Sequence, residues 1–148
     1  MNTQTYTQRA KARPRRRIAV VTMGVKLGDE TRGYTRFRFL SEMLVEQGFD
    51  VDLITSSFQH WEKAPRDTSK ACYQDLPYNV VFIDEPGYTR NLDLQRIRSH
   101  HVAAKNLREH FERTAGRYSL IYSEIPPNDV ARVCAEYAAE HNIPYVAD

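Results

Sequence analysis

Cysteine is scarce in this chain: Cys72 and Cys134 are the only two among 148 residues. They stand far apart with no Cys or His spacing around them, which excludes a disulfide framework or a structural zinc site as a sequence reading. Free thiols of this kind fit a reducing cytoplasm. Long hydrophobic runs are missing too, and no segment approaches the ~20 apolar residues of a membrane-spanning helix. The run Ile18 to Met23 falls short of the ~7–15 apolar residues at the centre of a secretory signal, and its composition is that of a strand. Acidic residues are absent from the first 17 positions, where Arg9, Lys11, Arg13, Arg15, Arg16 and Arg17 place six positive charges. The chain has 21 basic and 19 acidic side chains, so removing those six leaves 15 against 19, or −4, beneath a net charge of +2.

Residues 1–16 therefore read as a basic, disordered leader on a mildly acidic body. The leader is either solubilising or a peripheral contact with anionic lipid at the inner membrane face, where each Lys or Arg contributes about 1 kcal/mol. Nucleic acid is not an expected partner, because the acidic body offers it no matching surface. The expected location is cytoplasmic.

What is present is an ordinary globular composition, 41% hydrophobic and 27% charged, enough for one domain with a real core. Strand-like and helix-like segments alternate along residues 17–148. Ile18 to Met23 is continuously apolar and β-branched, as a strand buried on both faces should be. A glycine-containing loop, Gly24 to Gly33, leads into a helix over Tyr34 to Gln47, with Phe37, Leu40, Met43 and Leu44 at helical spacing and Gly48 as the stop. Val51 to Thr55 reads as a second strand and Val80 to Asp84 as a third, separated by the irregular polar stretch Ser56 to Tyr78. Leu92 to Thr114 reads as the longest helix, with Leu94, Ile97, His101, Ala104 and Phe111 along one stripe. Leu120 to Ser123 gives a fourth strand. Pro126 and Pro127 force a turn, and Asn128 is placed to cap a helix carrying Val130, Val133, Cys134, Tyr137 and Ala138. Ile143 to Asp148 opens a fifth, buried strand at which the fold looks truncated. The predicted class is α/β, a Rossmann-like doubly wound parallel sheet in three α/β/α layers.

Such sheets keep ligands at the carboxyl ends of their strands. In the strand order 3-2-1-4-5 the loop Gly24 to Gly33 meets Ser123 to Asn128 there. Gly28 and Gly33 would let backbone amides approach a phosphate, with Arg32 and Arg36 supplying charge, or they serve the turn alone. Glu124, just after the fourth strand, is the one weak catalytic candidate, as a base or a polyol acceptor, or else a loop carboxylate in solvent. Ser123 lies beside it. His60 and Trp61 offer a ring-stacking platform with a polar handle, or a loop anchor. No metal site is expected. Asp50 and Asp52 open a strand rather than end one, and the adjacent His100 and His101 point in different directions on their helix.

Gly33-Tyr-Thr-Arg36-Phe-Arg-Phe-Leu40 and Leu44-Val-Glu-Gln-Gly48-Phe-Asp-Val51-Asp-Leu-Ile-Thr55 resemble the opening of family 4 glycosyltransferases. Leu120-Ile-Tyr-Ser-Glu-Ile-Pro-Pro127 and Asn142-Ile-Pro-Tyr-Val-Ala-Asp148 resemble that family's fourth strand and the approach to its next segment, so the likeness runs over most of residues 17–148. The resemblance implies two facing Rossmann-like domains, the N-terminal one holding a glycan or lipid-linked acceptor and the C-terminal one a nucleotide-sugar. It implies the acceptor-side half of a retaining glycosyltransferase used in polysaccharide biosynthesis. No cofactor or metal is implied beyond the nucleotide-sugar donor as co-substrate. Gly28 or Gly33 would lie near the donor pyrophosphate, and Arg36 would match the family's helix arginine. The partner would be a C-terminal donor-binding domain missing from these 148 residues, without which the fragment is expected to be inactive. The alternative is a non-catalytic α/β module that binds a nucleotide or a protein.

Overall fold

The computed structural model describes residues 15–148, so most of the basic leader lies outside the described residues. Five parallel strands form one sheet: β1 (Arg17–Val21), β2 (Asp50–Ser56), β5 (Asn79–Ile83), β6 (Leu120–Ser123) and β7 (Tyr145–Ala147). Their order is β5-β2-β1-β6-β7, the predicted arrangement. β1 is central, with Ile18 opposite Val51 on one side and Leu120 on the other.

Successive side chains of a strand point to opposite faces, and β1 divides its apolar residues accordingly. Ile18 and Val20 pack with Phe37, Val51, Leu53, Tyr73 and Tyr78. Ala19 and Val21 pack with Leu107, Phe111, Ile121, Cys134 and Tyr137. The first face lies under α1 (Arg36–Glu46), and the second under α2 (Leu94–Arg113) and α3 (Asn128–Glu140). This completes the three-layer Rossmann-like α/β/α fold. Helices α2 and α3 are joined where the Phe111 and Tyr137 rings stack at 4.9 Å and the Tyr137 hydroxyl donates to the Phe111 carbonyl at 2.9 Å.

Several local expectations shift. Leu94 and Ile97 lie exposed, as does His101, and the buried stripe of α2 is Ser99, Ala103, Ala104, Leu107 and Phe111. Of the stripe read from the sequence, Ala104 and Phe111 are buried, and the face turned inward runs through Ser99, Ala103 and Leu107 instead of Leu94, Ile97 and His101. Met43 is exposed, and Ser41 takes the buried position on α1 by donating to the Phe37 carbonyl. Asn128 does not cap α3. Pro127, in extended conformation, is the cap residue, and Asn128 becomes the first residue of the helix, without a side-chain cap. β7 is an edge strand rather than a buried one, with Val146 and Ala147 exposed.

The polar stretch after β2 is organised. β3 (Phe58–Gln59) pairs antiparallel with β4 (Ala64–Pro65), and a 3₁₀ turn covers Ala71–Tyr73. Buried Arg66 is its anchor, donating to the Ser56 carbonyl at 2.6 Å, the Val25 carbonyl at 2.7 Å and Glu30 Oε1 at 2.6 Å. One side chain thus ties the end of β2 to the loop after β1.

Candidate functional site

A cavity of about 670 Å³ opens at the carboxyl ends of the strands, where the switch in strand order predicts a crevice. Met23, Gly24 and the segment Glu124 to Pro127 form adjoining parts of its wall. The β3–β4 strap contributes His60, Trp61 and Lys63, and the segment between β5 and α2, with the first turns of α2, contributes Tyr88, Asn91, Arg96 and His100. Tyr34 and Arg36, at the start of α1, complete the lining.

Of the residues singled out in the sequence, Arg36, His60, Trp61 and Glu124 meet here. Trp61 anchors its loop and lines the crevice. Its indole N–H donates to the Gly24 carbonyl at 3.2 Å and its ring meets Tyr34 edge-on at 5.0 Å, yet it stays 42% exposed to the crevice. Arg36 reaches the crevice from the N-terminus of α1, where Thr35 provides no side-chain cap and first-turn amides lack intrahelical partners. Its guanidinium pairs with Asp148 at 3.1 Å.

Glu124 is neither solvated nor free. It is 8% exposed, and its Oε2 accepts from the Thr22 hydroxyl at 2.7 Å, the Met23 N–H at 3.1 Å and the Gly24 N–H at 3.4 Å. A carboxylate committed to three donors is a brace between the ends of β1 and β6, poorly suited to a base.

Gly28, Gly33, Arg32 and Ser123 do not line the cavity. Gly28 sits at φ +54 against the 3₁₀ turn, and a side chain there would meet Cys72 Sγ at 2.6 Å. Gly33, at φ +129, is a turn position whose Cβ would lie 2.9 Å from the Lys26 backbone nitrogen. Both glycines serve the loop's own closure, sealed by the Lys26 N–H to Tyr34 carbonyl bond at 2.8 Å. Arg32 is exposed, and its carbonyl accepts from Gln59. Ser123 is fully buried and shares a 2.7 Å hydrogen bond with the Tyr145 hydroxyl. Strand alternation turns Ser123 into the core and leaves its neighbour Glu124 at the crevice.

The chemistry that sequence reasoning missed is centred on Glu85. Its carboxylate accepts from Ser56 Oγ at 2.6 Å and Ser99 Oγ at 2.7 Å and lies 3.1 Å from His60 Nε2. His60 Nδ1 is 2.9 Å from the Tyr88 hydroxyl, and the His100 ring centre is 5.6 Å from that of His60. Burial alone would raise the Glu85 pKa, but the hydrogen bond and charge of His60, with both serines, hold it below the ordinary carboxylate value. Burial pushes the His100 pKa down, against the opposing pull of Glu85. The signal for Glu85 was its place just past a strand end, the same criterion that selects Glu124. His100 had none, since only the docking of α2 decides which of two adjacent histidines faces inward.

The Asp50–Asp52 pair lies at the opposite end of the sheet. Asp52 is fully buried and accepts from Arg17 at 2.6 Å, Arg117 at 2.8 Å and the Tyr118 hydroxyl at 2.8 Å. Arg17 is thus a structural strand residue, although the sequence groups its charge with the leader. Lys63 and Arg96 bring positive side chains to a crevice that also holds the Glu124 carboxylate and the aromatic rings of Tyr34, Trp61 and Tyr88.

No family model matches the chain, and no curated protein matches it. Among solved structures, the C-terminal domain (residues 78–226) of a hydrogenase from Pyrococcus furiosus matches with a TM-score of 0.63 at 14% identity, covering 90% of this chain and 91% of that one. The glycosyltransferase LpCGTa, in complex with UDP, matches with a TM-score of 0.60 at 12% identity, covering 90% of this chain. The chain spans 30% of LpCGTa's length. These are likenesses of fold, Rossmann-like in both cases, and neither singles out family 4.

Proposed function

We propose that this chain is the acceptor-side half of a retaining glycosyltransferase of the two-facing-domain type, close to family 4, and that its crevice holds a phosphate-bearing sugar acceptor. The observation that carries the reading is the convergence of Arg36, Lys63 and Arg96 with the rings of Trp61, Tyr34 and Tyr88 at the carboxyl ends of a parallel sheet. Guanidinium and ammonium groups recognise phosphate, while flat aromatic faces suit the apolar face of a sugar ring. A lipid-linked sugar carries both chemistries, and the basic leader would serve such an acceptor by resting on anionic lipid. A donor-binding domain facing the crevice would supply the nucleotide-sugar and the catalytic groups, with no cofactor required of this half. The enzyme would work at the cytoplasmic face of a membrane; among the described residues, no helix is long and apolar enough to cross one.

Trp61 is the only tryptophan and lines the crevice, so its fluorescence reports occupancy directly. Glucose 1-phosphate is expected to change that emission saturably, and methyl glucoside, which lacks the phosphate, to bind at least about ten-fold more weakly, a difference of about 1.4 kcal/mol. Arg96→Ala should weaken the phosphate ester to a similar extent. Equal binding of the ester and the neutral glycoside would refute the reading. UDP binding more tightly than the sugar phosphate would favour the second reading, a nucleotide-binding module, which the UDP-bound LpCGTa likeness keeps in view.

A further inference from the structure

We propose that His60, Glu85 and His100 form a three-ligand site for a divalent cation of the zinc class, with its remaining positions open to the crevice. This site stands independently of the sugar-transfer reading. One donor atom from each of the three residues lies within 4.8 Å of the others. Two donors bound to one zinc-class ion at ~2.0–2.2 Å lie roughly 3.3 Å apart in a tetrahedral arrangement. His60 Nε2 and Glu85 Oε2 already stand at 3.1 Å, and a modest rotation of the half-buried His100 ring brings in the third. Two imidazoles and one carboxylate suit zinc and its neighbours rather than calcium or magnesium, which favour all-oxygen shells. Three protein ligands with an open position are the arrangement of a reactive metal site rather than a closed structural one.

The surrounding shell is also built. Ligating carboxylates and imidazoles are normally fixed by hydrogen bonds from outside the ligand set. Ser56 and Ser99 hold one oxygen each of Glu85, and Tyr88 holds His60 at Nδ1. The Tyr88 hydroxyl can accept as well as donate, so the His60 ring can carry its proton on Nδ1 and present a bare Nε2 to the cation. Glu85 comes from the end of β5, His60 from the strap after β2 and His100 from α2, so the site forms only in the folded chain. A bound cation would sit beside Arg96, and an anion or hydroxide in the open position would balance the charge.

The test is titration of the full chain, free of any histidine tag, with Co²⁺ followed by visible absorption, then displacement by Zn²⁺. The expected result is one Co²⁺ per chain with the intense bands of four- or five-coordination. His100→Ala and Glu85→Ala should each weaken it at least about ten-fold, while His101→Ala, replacing an exposed neighbour, should leave it unchanged. Weak six-coordinate bands like those of the aqueous ion, or undiminished affinity in His100→Ala, would overturn the site. Glu85→Ala strands two buried serines and risks misfolding, so the decision rests on His100→Ala, checked for native circular dichroism.

Discussion

Glu124 accepts the Thr22 hydroxyl at 2.7 Å across 102 residues of chain, so a loop carboxylate and a strand-end hydroxyl lock the two central strands at the mouth of the crevice. Glu124→Ala would leave that hydroxyl and the Met23 and Gly24 amides without their acceptor. Urea unfolding should show a loss of about 2–3 kcal/mol, the scale of stranded buried donors. A stability unchanged from the parent would mean that water replaces the carboxylate and that Glu124 is free for chemistry after all.

The Arg66–Glu30 pair is more deeply buried, with side-chain exposures of 1% and 6%. Removing one partner of a buried pair leaves an uncompensated charge and costs about 3–5 kcal/mol. Glu30→Ala should therefore destabilise the chain by that order in the same unfolding measurement. Because Arg66 ties the strap to the first loop, the variant should also redden Trp61 emission before global unfolding. A loss under 1 kcal/mol would contradict this role.

Stability should fall with acid in two stages. Burial holds His100 and His110 below their ordinary value of 6.5, so the unfolded chain takes up these protons first, and stability declines as pH drops below about 6.5. Burial raises the Asp52 pKa, but its bonds from Arg117, Tyr118, Arg17 and Asn79 outweigh that and leave it lowered. Glu85 is lowered by His60 and two serines despite its burial. Their contribution is intact above the ordinary values of 3.8 and 4.5 and is lost as pH falls through the lower folded values. Melting temperatures from pH 8 to pH 3 should show a shallow decline and then a steep one. A flat profile between pH 6.5 and pH 5 would remove the histidine contribution.

The two thiols should separate cleanly in reactivity. Cys134 is fully buried, and burial pushes its pKa up to about 12. Cys72 is only half-buried, on the 3₁₀ turn. Ellman's reagent at pH 8 should titrate one thiol per native chain, lost in Cys72→Ser, and reach Cys134 only in denaturant. Two fast thiols would show that α3 opens readily from the sheet.

The sequence by itself determined the architecture. Strand periodicity, β-branched runs such as Ile18 to Val21 and the spacing of Cys134, Tyr137 and Ala138 are local signals, and local signals fix elements and their order. The position of the crevice followed from that order, and with it Arg36 and Glu124, whereas only the folded strap brings His60 and Trp61 there. Tertiary structure alone decided what those residues do. Whether Glu124 is solvated depends on Thr22 and two amides far away in the chain, and whether His100 or His101 turns inward depends on how α2 docks. Glu85 acquires its meaning only when Ser56, His60 and Ser99 arrive from three separate segments. Gly28 and Gly33 look alike in sequence, and only the fold shows Cys72 packed against one and Lys26 against the other. Pairings between distant residues leave no periodic trace, because each is a meeting of surfaces that exists only once the sheet has formed.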